Sequence, residues 1–277
     1  MQAEAERAGT GAREPITEDR LAAHEAMLAE KVFQTETLWP HFGQLLRDVR
    51  RLAGETPHGV TVVSLERTLL YGGISLVAPF FAEHDFVSVD CSPESADARG
   101  AYNRAMVDDP RCIAIPCDRR APIEATGLDD AMADLVMVPN LVHHVADQDA
   151  LFAEMARITR PGGEVYVFEP LVRELHQIPD DFLRYTPFGM QRVMRKAGLE
   201  PGEAELEGGP FSVIAYCWTQ ALQYFPEDER AEKERWFFGE HFPQLMAWDA
   251  AHRENKVRAH TSFPMSFAIR ARKPKAA

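Results

Sequence analysis

The sequence predicts a doubly wound α/β fold: a mostly parallel sheet covered by helices on both faces, preceded by N-terminal helices and carrying a helical insertion before the last strand. Three observations predict it. Short apolar runs alternate with helical or loop segments from Gly59 onward, which is the pattern of a parallel sheet with crossover helices. Leu135 to Val138 is too continuously hydrophobic for a strand with one wet face, so both its faces must be covered. A helix with Leu151, Phe152, Met155 and Ile158 on one stripe then leads through Pro161-Gly162-Gly163 into another apolar run, completing a strand-helix-strand unit of right-handed crossover.

Taken in order, the first 15 or so residues, rich in Ala, Glu and Gly, read as a mobile tail. Residues 18–52 read as helices, with Leu21, Met27, Leu28, Val32, Phe33, Leu38 and Phe42 followed by Leu45, Leu46, Val49 and Leu52. Residues 1–58 therefore form a tail and a helical cap, and 59–277 the α/β domain. Within it, Val60 to Leu65, Phe86 to Val89, Cys112 to Ile115, Leu135 to Val138 and Val165 to Phe168 are the five predicted strands. Gly72 and Gly73 precede Ile74, Val77, Ala78 and Phe81, whose spacing predicts a helix that Pro79 should kink. Met190, Val193, Met194 and Ala197 predict another, closed by Gly198. Phe211 to Tyr216 and Ser262 to Arg270 are the last strand candidates, and the insertion runs from about 218 to 258.

Ligands of such sheets bind beyond the carboxyl ends of the strands. Asp90 stands at one such end, and Asn140, His143 and His144 at another. A carboxylate at Asp90 can accept two ribose hydroxyls, the preferred reading; the alternative is the cap of a helix over 93–104. Imidazole titrates near neutrality, so His144, and after it His143, are candidates to take a proton from a substrate. Against this, His143 suits the core and His144 a pocket wall without catalysis. Adjacent residues point in different directions, and two histidines with no third ligand at suitable spacing argue for no metal.

Asp134 opening a strand, Asn140 with His143-His144 at its end, Glu154 and Arg157 on the helix, and Arg160-Pro161-Gly162-Gly163 together resemble the second half of the class I S-adenosylmethionine-dependent methyltransferase domain. The resemblance covers about 59–199 well, the final strands loosely, and the N-terminal helices and insertion by position only. It implies a Rossmann-like methyltransferase fold, S-adenosylmethionine as cofactor, and methyl transfer to a small-molecule acceptor. It also implies a closing antiparallel pair made of Phe211 to Tyr216 and Ser262 to Arg270. The implied cofactor-binding set is Glu66, Gly72 and Gly73 in the first loop, Asp90 on the ribose, Asp118 on the adenine amino group, and Asn140. Asp118 reads alternatively as a solvated loop acid, and the two glycines as an ordinary turn. From Gly73 to Asp90 is 17 residues, the family's spacing, but Leu69 and Tyr71 occupy the two earlier glycine positions and Glu66 falls one residue early for the loop acid. An alternative function follows: a methyltransferase-like protein that has lost methyl transfer and binds a ligand or partner.

Composition narrows the partners. With 43 acidic against 30 basic residues the chain carries a net charge of -13, which disfavours a nucleic-acid partner. The segment from Met1 to Glu18 has no apolar core of a signal peptide, and no apolar run approaches the ~20 residues of a membrane helix, so a soluble cytoplasmic protein is expected. Cys91, Cys112, Cys117 and Cys217 lack paired spacing and read as reduced thiols. A dinucleotide oxidoreductase would need a GxGxxG turn after the first strand, which is missing. Glu169-Pro170, Tyr185 and the insertion's Trp218, Tyr224, Trp236, Phe237, Phe238, His241, Trp248 and His252 serve helical packing or a homodimer contact, with an acceptor pocket or lid as the alternative.

Overall fold

The computed structural model describes residues 16–35, 39, 41–68, 71–92, 106–255 and 262–275. Seven strands form the main sheet: β1 (Thr61–Glu66), β3 (Asp85–Asp90), β5 (Arg119–Arg120), β6 (Ala133–Pro139), β7 (Thr159–Pro170), β8 (Glu200–Glu207) and β9 (Ser266–Arg272). Their order is β5-β3-β1-β6-β7-β9-β8. The first five are parallel, and β9 runs antiparallel between β7 and β8. A two-residue β2 (Ile74–Ser75) pairs antiparallel with β4 (Ile115–Pro116) beside the sheet. The strand order reverses between β1 and β6, and the carboxyl ends of these strands are where the site forms.

Strand periodicity divides the core cleanly. Val63, Leu65, Val136, Val138, Val165 and Val167 pack on one face, under α3 (Gln148–Ile158) and α4 (Pro187–Lys196). Val62, Leu135, Met137, Tyr166 and Phe168 pack on the other, under α1 (Glu18–Met27), the π turn Leu28–Val32 and α2 (Phe42–Glu55). α2 buries Leu45, Leu46, Val49 and Leu52, a stripe at helical spacing, each worth roughly 1.5–3 kcal/mol when removed from water. Tyr166 donates its hydroxyl to Asp48 Oδ2 at 2.9 Å, pinning α2 to the middle of the sheet. Thr17, Asp147 and Thr186 accept backbone N–H bonds at the starts of α1, α3 and α4.

Four sequence expectations change. Phe211 to Tyr216 is not a strand but part of α5 (Pro210–Leu222), which starts at Pro210 and buries Ser212, Ala215, Tyr216, Thr219 and Leu222 along one side. The closing antiparallel pair exists, but Glu200–Glu207 supplies the partner of β9. Its charged sequence fits the end of the sheet, where one side is wet. The third parallel strand is Arg119–Arg120 rather than Cys112 to Ile115; the Ile113 N–H turns away to His24 Nδ1 at 3.1 Å. The helix expected after Gly72-Gly73 shrinks to a single 3-10 turn, Ala78–Phe81, with Pro79 at its start. Leu38, Leu69, the helix expected over 93–104 and the first 15 residues lie outside the described residues.

The insertion is helical as predicted, in α5, α6 (Glu227–Trp236) and α7 (Phe242–His252). Its aromatics pack mainly among themselves: Phe237 is buried with Ala215 and Leu222 against Trp218, Phe238 and Phe242, while Tyr224 is exposed. The four cysteines are free thiols.

Candidate active site

β1 ends in Glu66, a buried carboxylate that organises the following loop. Its Oε1 accepts from Ser75 Oγ at 2.5 Å and its Oε2 from Leu76 N at 3.0 Å. Ser75 Oγ accepts in turn from Ala78 N at 3.0 Å. Burial pushes the Glu66 carboxyl up to about 7, against the lowering effect of these bonds. Gly72 and Gly73 both adopt positive φ, 65° and 80°. A side chain at Gly73 would meet nothing within 4 Å among the described residues, and its positive φ is the conformation that favours glycine.

Asp90 is buried at the end of β3. Its Oδ1 accepts from Thr68 N at 3.2 Å, Ser92 N at 3.0 Å and Ser92 Oγ at 2.6 Å, so it ties the β1 loop to the β3 loop. Asp118 is exposed, and its Oδ2 accepts from Ser88 N at 2.7 Å and Ser88 Oγ at 2.8 Å. Glu154 and Asp134 are structural: Glu154 binds Thr126 N and Arg157, and Asp134 binds Thr61 N and Arg160.

At the end of β6, Asn140 takes a left-handed φ of 57°, donates its backbone N–H to Phe168 O at 2.8 Å, and turns the chain into a 3-10 turn, Val142–His144. Glu169 at the end of β7 holds that turn, accepting from Val142 N at 2.7 Å and lying 2.6 Å from His143 Nδ1. Burial pushes the Glu169 carboxyl up to about 8. The segment after β7 folds over this turn. Phe182 N donates to His143 O at 2.9 Å, His144 Nδ1 bonds to Asp180 O, and His176 lies beside both histidines. Contrary to expectation, the adjacent histidines converge, with ring centroids 4.1 Å apart, because the tight turn brings His143 and His144 to one side. Burial, then neighbouring guanidiniums, pulls His143 down to about 3; burial, then His143, pulls His144 down to about 2. Groups so far below neutrality are weak proton acceptors at pH 7.

Two cavities meet here. A larger cleft of about 600 Å³ is lined by Cys91, Ser92, Arg120, Ile123, Val145 and Asp180, among others. A smaller apolar cavity of about 60 Å³ lies under α2, lined by Phe33, Leu45, Val49, Tyr71, Phe80 and Asn140, with Glu66 on its wall. Arg67 and His144 border both. Arg67 is almost fully buried, its Nε donating to Gln177 Oε1 at 2.7 Å and its Nη2 to Asp180 Oδ2 at 3.2 Å. Glu66, Asn140 and His144 are thus brought together; Gly72, Gly73, Asp90 and Asp118 are not on either cavity's lining. Sequence reasoning missed Arg67, His176, Gln177 and Asp180. Arg67 had a signal, since it follows Glu66 at the end of the first strand; the other three come from a segment with no motif.

Residues 72–167 match the model of a methyltransferase domain family, the stretch holding the β3 acid, the β6 turn and the β6-α3-β7 unit. Over that third of the chain the match supports a class I S-adenosylmethionine-dependent methyltransferase domain. No curated protein matches it by sequence. Among solved structures, a protein described as a methyltransferase from Bacillus halodurans C-125 is similar at 13% identity and TM-score 0.50, over 83% of this chain and 98% of that one. A complex between the Haloferax volcanii Trm112 methyltransferase activator and a methyltransferase provides another, at 18% identity and TM-score 0.51, over 94% and 96%. At these identities the likeness speaks for the fold. Among the described residues no helix is long and apolar enough to cross a membrane.

Proposed function

We propose that this methyltransferase transfers the methyl group of S-adenosylmethionine to a small-molecule acceptor, with the cofactor spanning the two cavities. The observation that carries the reading is their junction: a carboxyl, Glu66, on the wall of the smaller cavity and a guanidinium, Arg67, bordering both follow one another at the end of β1. An α-amino acid carries both opposite charges on one carbon, so Glu66 would hold the ammonium and Arg67 the carboxylate of the methionine end. The adenosine would occupy the cleft beside Cys91, Ser92, Ile123 and Val145, with Asp90 toward the ribose. Gly72 and Gly73 contribute by shaping the loop that carries Thr68 and Tyr71.

When bound, the cofactor supplies an electrophilic methyl group, so the protein chiefly has to align donor and acceptor. Asn140, whose buried Oδ1 has no hydrogen-bond partner among the described residues, would orient an acceptor N–H or O–H. His144 borders both cavities and His143 is buried behind it; both are held neutral and do not remove the proton.

One observation favours a second reading. The apolar cavity has room for only a few water molecules, and the Arg67 guanidinium already has protein partners. A protein fixed in this arrangement would bind the cofactor or its product without turnover. Calorimetry with S-adenosylmethionine and S-adenosylhomocysteine on wild type and Arg67→Ala, followed by transfer of labelled methyl to an acceptor panel, separates the two. Absence of binding to wild type sinks both readings; binding without transfer to any acceptor supports the second.

A further inference from the structure

His143, His144 and His176 form a cluster that the methyl-transfer reading does not use. One ring nitrogen from each lies within 4.8 Å of those from the other two. The Nε2 atoms of His143 and His176 are 3.3 Å apart, and two nitrogens bound tetrahedrally to one zinc ion at 2.0–2.1 Å stand about 3.3 Å from each other.

The far sides of the rings decide what these nitrogens present. His144 Nδ1 faces the Asp180 carbonyl and His176 Nδ1 the Glu174 carbonyl at 3.2 Å; a carbonyl only accepts, so both Nδ1 atoms carry the hydrogen. A neutral imidazole protonated at Nδ1 offers a lone pair at Nε2. His143 Nδ1 is held by the Glu169 carboxyl at 2.6 Å, a carboxylate-histidine arrangement that orients metal-binding imidazoles. A proton shared between His143 and His176 settles two of these nitrogens, yet His144 Nε2 is buried and has no hydrogen-bond partner among the described residues. The three guanidiniums nearby are each paired, Arg67 with Asp180, Arg173 with Glu174 and Arg184 with Asp181, and two carboxyls face the imidazoles: Glu169 on His143 Nδ1 and Asp181, whose Oδ2 lies 3.3 Å from His176 Nδ1 and, like the Glu174 carbonyl, favours a hydrogen there.

We propose that His143, His144 and His176 bind a divalent transition metal of the zinc class through their Nε2 atoms, with Glu169 and the Asp180 and Glu174 carbonyls orienting the rings. The three come from the turn after β6 and the segment after β7, so the ion clasps that segment onto the sheet. Imidazole donors suit zinc, cobalt, nickel and copper over magnesium or calcium. Three histidines leave a fourth position for solvent. The site stands whether or not the cofactor reading holds.

The test uses the full chain, stripped with a chelator and titrated with Co2+ while visible absorption is followed. One Co2+ per chain, with bands of tetrahedral intensity that vanish on adding Zn2+, is the expected result. His176→Ala, a change on a partly exposed segment that leaves the core intact, should weaken binding by more than the roughly 10- to 100-fold that loss of an outer partner costs, and Glu169→Gln should weaken it within that range while keeping the bands. The exposed control His252→Ala should bind as wild type does. Zn2+ should raise the thermal midpoint of wild type and not of His176→Ala. Uptake that does not saturate at one ion, or an affinity unchanged in folded His176→Ala, overturns the proposal.

Discussion

Replacing Glu66 by Gln removes a buried titrating carboxyl and one of its two accepting oxygens; the lost acceptor costs the same at every pH, so the pH dependence can be worked from the carboxyl alone. Burial raises the folded-state value from 4.5 to about 7. Between these values the folded protein holds a proton that the unfolded chain has released, so stability falls as pH rises through this window. The stabilisation is fully present below 4.5 and lost by the time pH passes 7. At 1.36 kcal/mol per unit the loss is about 3 kcal/mol as an order of magnitude. The amide introduced by Glu66→Gln does not titrate, so urea unfolding should show the wild type losing about 3 kcal/mol relative to the variant between pH 5 and pH 8. Taking the difference between the two proteins cancels every other titrating group. The same shift links to function. If a cofactor ammonium sits on Glu66, binding favours the ionised carboxylate, so calorimetry in buffers of different ionisation enthalpy should show about one proton released at pH 6 and about none at pH 8. A stability difference equal at both pH values would refute the buried-charge argument, and pH-independent proton uptake would remove the ammonium from Glu66.

Arg67→Ala should weaken S-adenosylmethionine binding by roughly 10- to 100-fold, the range of one charge-assisted bond of about 1.5–3 kcal/mol; unchanged affinity by calorimetry would take Arg67 out of the cofactor site. Gly73→Ala should destabilise by about 1–2 kcal/mol through its φ of 80°, with no steric clash, and a neutral unfolding midpoint would show that the loop relaxes. Acid should destabilise the protein on balance: His24, His41, His143, His144 and His176 are all pulled below 6.5 by burial, so the stability they give is present above pH 6.5 and lost as pH falls toward 4, and these five groups outweigh Glu66 and Glu169, whose raised values act in the opposite direction. Thermal midpoints at pH 7 and pH 4.5 check this, and a midpoint rising at the lower pH would contradict it.

The strands legible in the sequence were those buried on both faces. Thr61–Glu66, Ala133–Pro139 and Thr159–Pro170 each lie between two strands, and apolar side chains alone satisfy such positions. The sheet's two ends were misread for the complementary reason. Arg119–Arg120 and Glu200–Glu207 are wet on one side and so carry charge, whereas Phe211 to Tyr216, apolar enough for a strand, is a helix covered by the insertion. Hydrophobicity reports burial first and element type second.

The site was legible where a side chain's role follows from its own strand end, and hidden where it depends on a distant segment. Glu66, Asn140 and His144 end strands whose position the sheet dictates. The convergence of His143 with His144 needed the turn to be 3-10, and that turn is held by Glu169 from the next strand and by the backbone of Asp180 and Phe182. His176 reaches the pair only because its segment is anchored twice more, by Asp181 Oδ2 accepting from His176 N at 3.0 Å and by Arg67 bonding Gln177 and Asp180. Arg67 therefore acts on both halves of the site: it borders the cleft and, through Gln177, fixes the residue next to His176. On the proposed cofactor placement, a carboxylate that drew Arg67 away from Gln177 and Asp180 would loosen the segment carrying His176, and occupancy of the cleft and order in the histidine cluster would then be coupled through one guanidinium.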